Sequence, residues 1–312
     1  MDKIWEILGE RIANKKATML VTIISEAGSA PRGSGASMLV GENGLVAGTI
    51  GGGMLEFKAV EKARTLLPIG QGMRQRYDLT EKGKELGMVC GGQLEVLFTF
   101  MASTEANLLT ITKIQAALRE RKTAWLLLPY SGQSCAIGQA GKQDYKDCYV
   151  QQLENPIRVF IFGGGHLGQE IVPLLVHLGF QCIVTDDRPE FSDGQLFPGA
   201  EAVFTRDYDK LTGHYAVQPQ DYIISVTRGH RGDLAVEKFA LKTTAAYIGV
   251  VGSKSKIAAV NAQLLAAGFT SQDLARVTAP IGLPIGSETP EEIAVSIAAQ
   301  LIQKRAELKG VL

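Results

Sequence analysis

The spacing of apolar positions changes character about halfway along the chain. Before that point it reads as mixed α/β. Ile4, Leu8 and Ile12 make one helical stripe, and residues 18–25 (TMLVTIIS) are a β-branched apolar run suited to a strand. Residues 38–40 and 45–46 flank Glu42-Asn43-Gly44, where Asn-Gly is expected to supply the positive φ angles of a hairpin turn. Leu55, Ala59 and Ala63 define a helix face after Gly51-Gly52-Gly53, and residues 106–120 predict another helix, read through Leu109, Lys113, Ala116 and Leu118. Residues 94–100 and 125–128 predict further strands, and 130–146 are polar and turn-rich.

Residues 151–156 (QQLENP) mark the expected boundary, because a residue before proline, here Asn155, is steered away from helix. The domains are therefore expected at 1–150 and 157–312. Past the boundary, short apolar runs alternate with amphipathic helices, as in a parallel doubly wound sheet. The predicted class is α/β: an N-terminal mixed α/β domain followed by a Rossmann-like doubly wound parallel-sheet domain.

The clearest chemistry lies at the start of the second half. Residues 158–162 (RVFIF) suit a central parallel strand buried on both faces. They lead into Gly163-Gly164-Gly165-His166-Leu167-Gly168, which satisfies G-x-G-x-x-G. A helical pattern follows over 169–178, stopped by Gly179, and then a strand over 181–185 ends at Asp186-Asp187. Gly163 permits the tight turn, Gly165 lets backbone approach a pyrophosphate, and Gly168 lets helix pack on strand. The helix amino end offers unpaired N–H groups to phosphate. Asp186 or Asp187 could accept ribose hydroxyls and would disfavour a 2′-phosphate. His166 could cap the helix, hydrogen-bond a ligand or bind metal as neutral imidazole.

Two later loops follow predicted strands. Residues 222–226 feed Thr227-Arg228-Gly229-His230-Arg231-Gly232-Asp233, where Arg228, His230 and Arg231 could hold an anion; the plainer reading is a solvated basic turn paired with Asp233. Residues 247–251 reach Gly252-Ser253-Lys254-Ser255-Lys256, which lacks full P-loop spacing, so ATP hydrolysis is not implied. Thr289, Pro290 and Glu292 make a strong helix start.

Charge narrows the partners. The 32 basic and 32 acidic residues cancel, which removes the long-range field of a nucleic-acid binder. No stretch approaches the roughly 18 apolar residues of a membrane span, and the acidic start lacks the features of a signal peptide. The four cysteines (Cys90, Cys135, Cys148, Cys182) make no CxxC pair, so a cytoplasmic, reducing setting is expected.

In the first half three glycine-rich loops stand out: residues 28–35 (GSAPRGSG), 48–53 (GTIGGG) and Cys90-Gly91-Gly92. Such density lets backbone approach a ligand or another backbone. Arg32 could hold an anion, and Glu56 sits one turn into the helix after Gly51, Gly52 and Gly53. Cys182, Cys135 and Cys148 read as small buried hydrophobes, whereas the glycines beside Cys90 leave a thiolate accessible as a ligand or sulfur carrier.

Together these motifs resemble the XdhC/CoxI family, the xanthine dehydrogenase accessory proteins. The matching residues are 28–35, 37–40, 48–56 (GTIGGGMLE), 88–95 (MVCGGQLE), 162–168 (FGGGHLG), 227–233 (TRGHRGD), 247–256 and 279–302, and the resemblance they carry spans nearly the whole chain. Pro284, where an acid is expected, and Lys254 and Lys256, where arginine is common, depart from the pattern. The resemblance implies a maturation factor rather than a metabolic catalyst. It would bind molybdenum cofactor (molybdopterin or its dinucleotide form), support its sulfuration, and deliver it to an apo molybdenum hydroxylase of the xanthine dehydrogenase type. A homodimer and a cysteine desulfurase partner belong to the same expectation, with Cys90 as the soft ligand near molybdenum. An NAD-dependent oxidoreductase and a nucleotide-sensing regulatory module are the alternatives.

Overall fold

The computed structural model describes residues 2–28, 33–78, 92–138, 145–153 and 155–308. The chain divides into two compact units, Met1–Asn155 and Pro156–Leu312.

The first unit runs α1 (Asp2–Ala13), β1 (Thr18–Ala27), β2 (Ser37–Gly41), β3 (Gly44–Gly48), α2 (Gly53–Leu66), β4 (Met73–Asp78), β5 (Gln93–Met101), α3 (Glu105–Arg119), β6 (Ala124–Pro129), β7 (Ala136–Gly138) and β8 (Cys148–Leu153). Five strands form an antiparallel sheet, β3-β2-β1-β5-β4, and three more form β7-β6-β8. The first seven residues of β1 are all buried because both sheet faces are covered. Met19, Val21 and Ile23 share a core with Leu55, Ala59 and Ala63 of α2. Leu20 and Ile24 share another with Trp5, Leu8 and Ile12 of α1 and with Ile111, Ile114 and Leu118 of α3.

The structure departs from the sequence expectation at three places in this unit. The stripe of α3 that enters the core is Asn107, Ile111, Ile114 and Leu118, while Leu109 is exposed. In the β2–β3 turn the positive φ falls on Gly44 (113°), and Asn43 keeps an ordinary negative φ. Residues 151–153, expected in a linker, finish β8 and pair with residues 124–126 of β6.

The second unit runs β9 (Arg158–Phe162), α4 (His166–His177), β10 (Gln181–Asp186), β11 (Ala202–Thr205), β12 (Tyr222–Ser225), α5 (His230–Ala240), β13 (Tyr247–Val250), α6 (Lys254–Ala266), α7 (Ser271–Leu274), β14 (Val277–Thr278) and α8 (Pro290–Leu308). All six strands are parallel, in the order β11-β10-β9-β12-β13-β14. Counted from β9 this is 3-2-1-4-5-6, the doubly wound dinucleotide-fold order. Val159 and Ile161 face one core with Ile171, Val172 and Leu175 of α4 and Ile297 and Leu301 of α8. Phe160 and Phe162 face the other, with Val236 and Phe239 of α5 and Val260 and Leu264 of α6. Thr289 and Glu292 cap α8 reciprocally: the Glu292 N–H donates to Thr289 Oγ1 at 3.3 Å and the Thr289 N–H to Glu292 Oε2 at 3.2 Å.

Candidate ligand-binding site

The strand–helix order of the second unit puts the loops after β9, β10, β11 and β12 at the carboxyl ends of the strands, where doubly wound sheets bind ligands. The first of these is the glycine turn. Gly163 has φ +119°, and a Cβ there would lie 2.5 Å from the Val226 carbonyl oxygen. A Cβ on Gly168 would lie 2.2 Å from the Gly163 oxygen, so α4 docks on the turn through a missing side chain. Gly165, the N-cap of α4, is different: nothing lies within 4 Å of its Cβ position. Space is therefore open where a phosphate would approach the helix amino end. His166 is the first residue of α4 and is exposed, three residues earlier than the expected helix start.

Asp186 is buried at the end of β10, and its carboxylate ties the crevice together. Oδ2 accepts the Gly164 N–H at 2.7 Å and Arg188 Nη2 at 3.1 Å, while Oδ1 accepts the Arg188 N–H at 3.0 Å and Nε at 2.9 Å. Burial alone would raise its pKa, but these bonds and the guanidinium charge outweigh it and hold the carboxyl below its ordinary range. The neighbouring Asp187 is half exposed, and its pKa is raised by desolvation and by the Asp186 charge. Arg188, which stacks over the Phe191 ring at 3.9 Å, was missed in the sequence. The Asp186-Asp187-Arg188 run was the available signal, since an arginine two residues past a strand-end acid can fold back on it.

Asp187 and Arg188 also line a cavity of about 370 Å³, shared with Asp207, Tyr208, Asp209, Arg228, Arg231 and Gly232. The acids and Arg188 come from the loops after β10 and β11, whereas Arg228 comes from the turn after β12 and Arg231 from the first turn of α5. The cavity is thus bipolar. Its volume falls at the small end of ligand pockets, which span roughly 300–1,000 Å³. The structure brings together Asp187, Arg228 and Arg231 of the residues singled out in the sequence; His230 and Lys254 are exposed first residues of α5 and α6 and do not line it.

Asp233 does not pair with Arg228, His230 or Arg231 of the basic turn. It is fully buried, with Oδ1 accepting from Ser225 Oγ at 2.8 Å and Thr227 Oγ1 at 2.6 Å and with Oδ2 ion-paired to Lys256. These bonds anchor the turn that presents Arg228 and Arg231.

In the first unit, the loop before α2 takes positive φ at Gly51 (126°), Gly52 (74°) and Gly53 (63°) in succession. Glu56 Oε2 holds this loop by accepting from Thr49 Oγ1 at 2.5 Å, the Ile50 N–H at 3.0 Å and the Gly52 N–H at 3.2 Å. The Cβ position of Gly52 faces open space. Arg32 and Cys90 lie outside the described residues. Cys135 and Cys182 are buried, which pushes both thiols up to about 12, and Cys148 is partly exposed. Among the described residues no group of three or more His, Cys, Asp or Glu is placed to hold a metal ion. A second cavity, about 620 Å³, is lined by Lys15, Lys16, Glu42, Glu61 and Arg64 and by none of the residues singled out above.

A six-stranded 3-2-1-4-5-6 sheet with a G-x-G-x-x-G turn defines the second unit as a Rossmann-type domain. Residues 159–301 match the XdhC Rossmann domain and residues 11–78 match the XdhC and CoxI family. The chain belongs to the XdhC and CoxI family. It is 26% identical to a probable xanthine dehydrogenase component of Bacillus subtilis, covering 98% of each chain. It is 21% identical to the molybdenum cofactor insertion chaperone PaoD of Escherichia coli, over 95% of this chain and 86% of that one. A Bacillus halodurans crystal structure described as a xanthine dehydrogenase has the same fold, with TM-score 0.82, 24% identity and coverage of 97% and 96%.

Proposed function

We propose that this protein is an accessory factor for a molybdenum hydroxylase of the xanthine dehydrogenase type: it binds molybdenum cofactor as cargo, supports its sulfuration and hands it to the apoenzyme. The accessory role is supported by the family and by the insertion chaperone that matches through both units. The observation that carries the cargo reading is the crevice of the second unit. Its open Gly165 position at the amino end of α4 and its arginine wall of Arg228 and Arg231 suit a phosphorylated or nucleotide-bearing ligand. The loop of Gly51, Gly52 and Gly53, held by Glu56, and the Arg32 and Cys90 segments are assigned to the same cargo. Cys90 is the proposed soft ligand to molybdenum. His166, His230 and Lys254 would complete the polar rim of the phosphate site.

The protein is proposed to act in the cytoplasm as a homodimer, with a cysteine desulfurase as sulfur source; no helix among the described residues is long and apolar enough to cross a membrane. An NAD-dependent oxidoreductase is favoured by the strand order and the G-x-G-x-x-G turn. Weighing against it, every Asp186 oxygen already accepts two hydrogen bonds from the protein, which leaves ribose recognition to the half-exposed Asp187. The test is reconstitution of an apo molybdenum hydroxylase with purified cofactor. Wild type should speed activation, and the double variant Arg228→Ala/Arg231→Ala should lose most of the effect while staying folded. Equal activation with and without the protein would overturn the assignment.

A further inference from the structure

Beneath the arginine turn lies a cluster that cargo binding does not use. Asp233 and Glu237 stand one turn apart on α5, 0% and 4% exposed. Lys256, from the first turn of α6, pairs with Asp233. The other groups on Asp233 are the uncharged hydroxyls of Ser225 and Thr227. The 3-10 turn Tyr208–Lys210, which also packs on α5, brings Tyr208, whose phenol burial pushes up, and the exposed Asp209 and Lys210. Among the described residues, nothing hydrogen-bonds the Glu237 carboxyl. Two buried carboxyls thus share one ammonium, and that ammonium sits on Asp233.

We infer that the Glu237 carboxyl carries a proton whose release weakens anion binding at the arginine-lined cavity, so that the affinity of that cavity falls as pH rises through neutrality. The proposal rests on the reading of that cavity as an anion site. Arg231 and Gly232, which line it, lie five to six residues before Glu237 on the same helix, within about 10 Å along the axis. Protonated, Glu237 adds no charge beneath the turn. Ionised, it adds a second buried negative charge behind the two arginines, opposing an incoming anion and competing with Asp233 for Lys256. The direction of its titration agrees: desolvation first, then the Asp233 charge, raise it to about 7, with Lys256 opposing. By reciprocity a bound anion draws a proton onto Glu237.

The test titrates inorganic sulfate, a dianion throughout the range, into full-length wild type and Glu237→Gln at pH 5.5 and 8.5 and constant ionic strength, following backbone amide shifts of Gly229 and Gly232. Wild type and Glu237→Gln differ at this one side chain, so the ratio between proteins isolates Glu237. The two should bind equally at pH 5.5, and Glu237→Gln should bind about fivefold more tightly at pH 8.5, within the usual span of coupling between sites. Sulfate binding with the same wild-type to variant ratio at both pH values would overturn the proton coupling alone. No saturable shift in either protein would overturn the anion site and the coupling together. A thermal control checks that the acid is neutral when buried: because its folded pKa is raised, wild type should lose stability relative to Glu237→Gln as pH rises from about 4.5 to 7. Parallel melting curves across that range would also overturn it.

Discussion

Replacing Asp186 by asparagine tests whether one carboxylate organises the crevice. The side chain is 1% exposed and accepts four hydrogen bonds, two of them from the Arg188 fork. Asparagine keeps the volume, but its amide nitrogen faces donors that the carboxylate oxygen had satisfied, and the guanidinium loses its counter-charge. Unsatisfied buried donors cost about 1–3 kcal/mol, and breaking a buried pair costs more; since Arg188 is a quarter exposed, we take about 3 kcal/mol in total. At roughly 2–4 °C per kcal/mol for a unit of this size, the melting transition should fall by about 6–12 °C. Both tryptophans, Trp5 and Trp125, lie in the first unit, so tryptophan emission reports that unit while calorimetry reports both. The loss should appear in the calorimetric transition of the second unit. The sign with pH is fixed too. Because the folded carboxyl titrates below its ordinary value, the stabilisation is complete above about pH 4 and is lost as pH falls through the lower folded value. The gap between wild type and variant should therefore be constant near neutrality and close in acid. A shift below 1 °C, or a gap that widens in acid, would refute the role.

Gly165→Asp should cost little stability, because nothing lies within 4 Å of the new Cβ, yet it places a carboxylate where the anion is expected; calorimetry should show cofactor binding weakened at least tenfold, and unchanged binding would make the turn structural only. Cys182→Ser should destabilise by about 1–3 kcal/mol, since Sγ is fully buried and 4.0 Å from its nearest acceptor, the Val172 oxygen, and client activation should scale with the folded fraction. Cys90→Ser should do the reverse, with stability nearly unchanged and molybdenum retention reduced; equal retention removes Cys90 from the site.

The second unit was legible because each element announces itself. RVFIF, the glycine turn, the α4 stripe and the acids at the end of β10 follow in an order that few other folds share. What Asp186 does with its oxygens was not legible, because spacing reports that an acid ends the strand but not that Arg188 folds back to saturate it. The Asp233–Lys256 pair was hidden for a related reason: it joins two helices through the tertiary fold. In the first unit β4 (MRQRYD) went unread since it has no apolar run, although Met73, Gln75 and Tyr77 alternate with exposed Arg74, Arg76 and Asp78 as an edge strand requires. The α3 stripe was misphased because Leu109 resembled a core position, whereas packing against α1 selects Ile111 and Ile114. Glu56 was noticed without its role, because a carboxylate holding backbone N–H groups of its own loop leaves no periodic trace.

Carriage of molybdenum cofactor by the chain is measured most directly as the cofactor content of protein purified without oxygen from cells that make a molybdenum hydroxylase. Molybdenum by mass spectrometry and the fluorescence of the oxidised pterin should appear in equal amounts, rise toward one per chain when purified cofactor is added, and fall together in Gly165→Asp and in Arg228→Ala/Arg231→Ala. Protein that contains neither, and that takes up neither from a supply of free cofactor, would contradict the account.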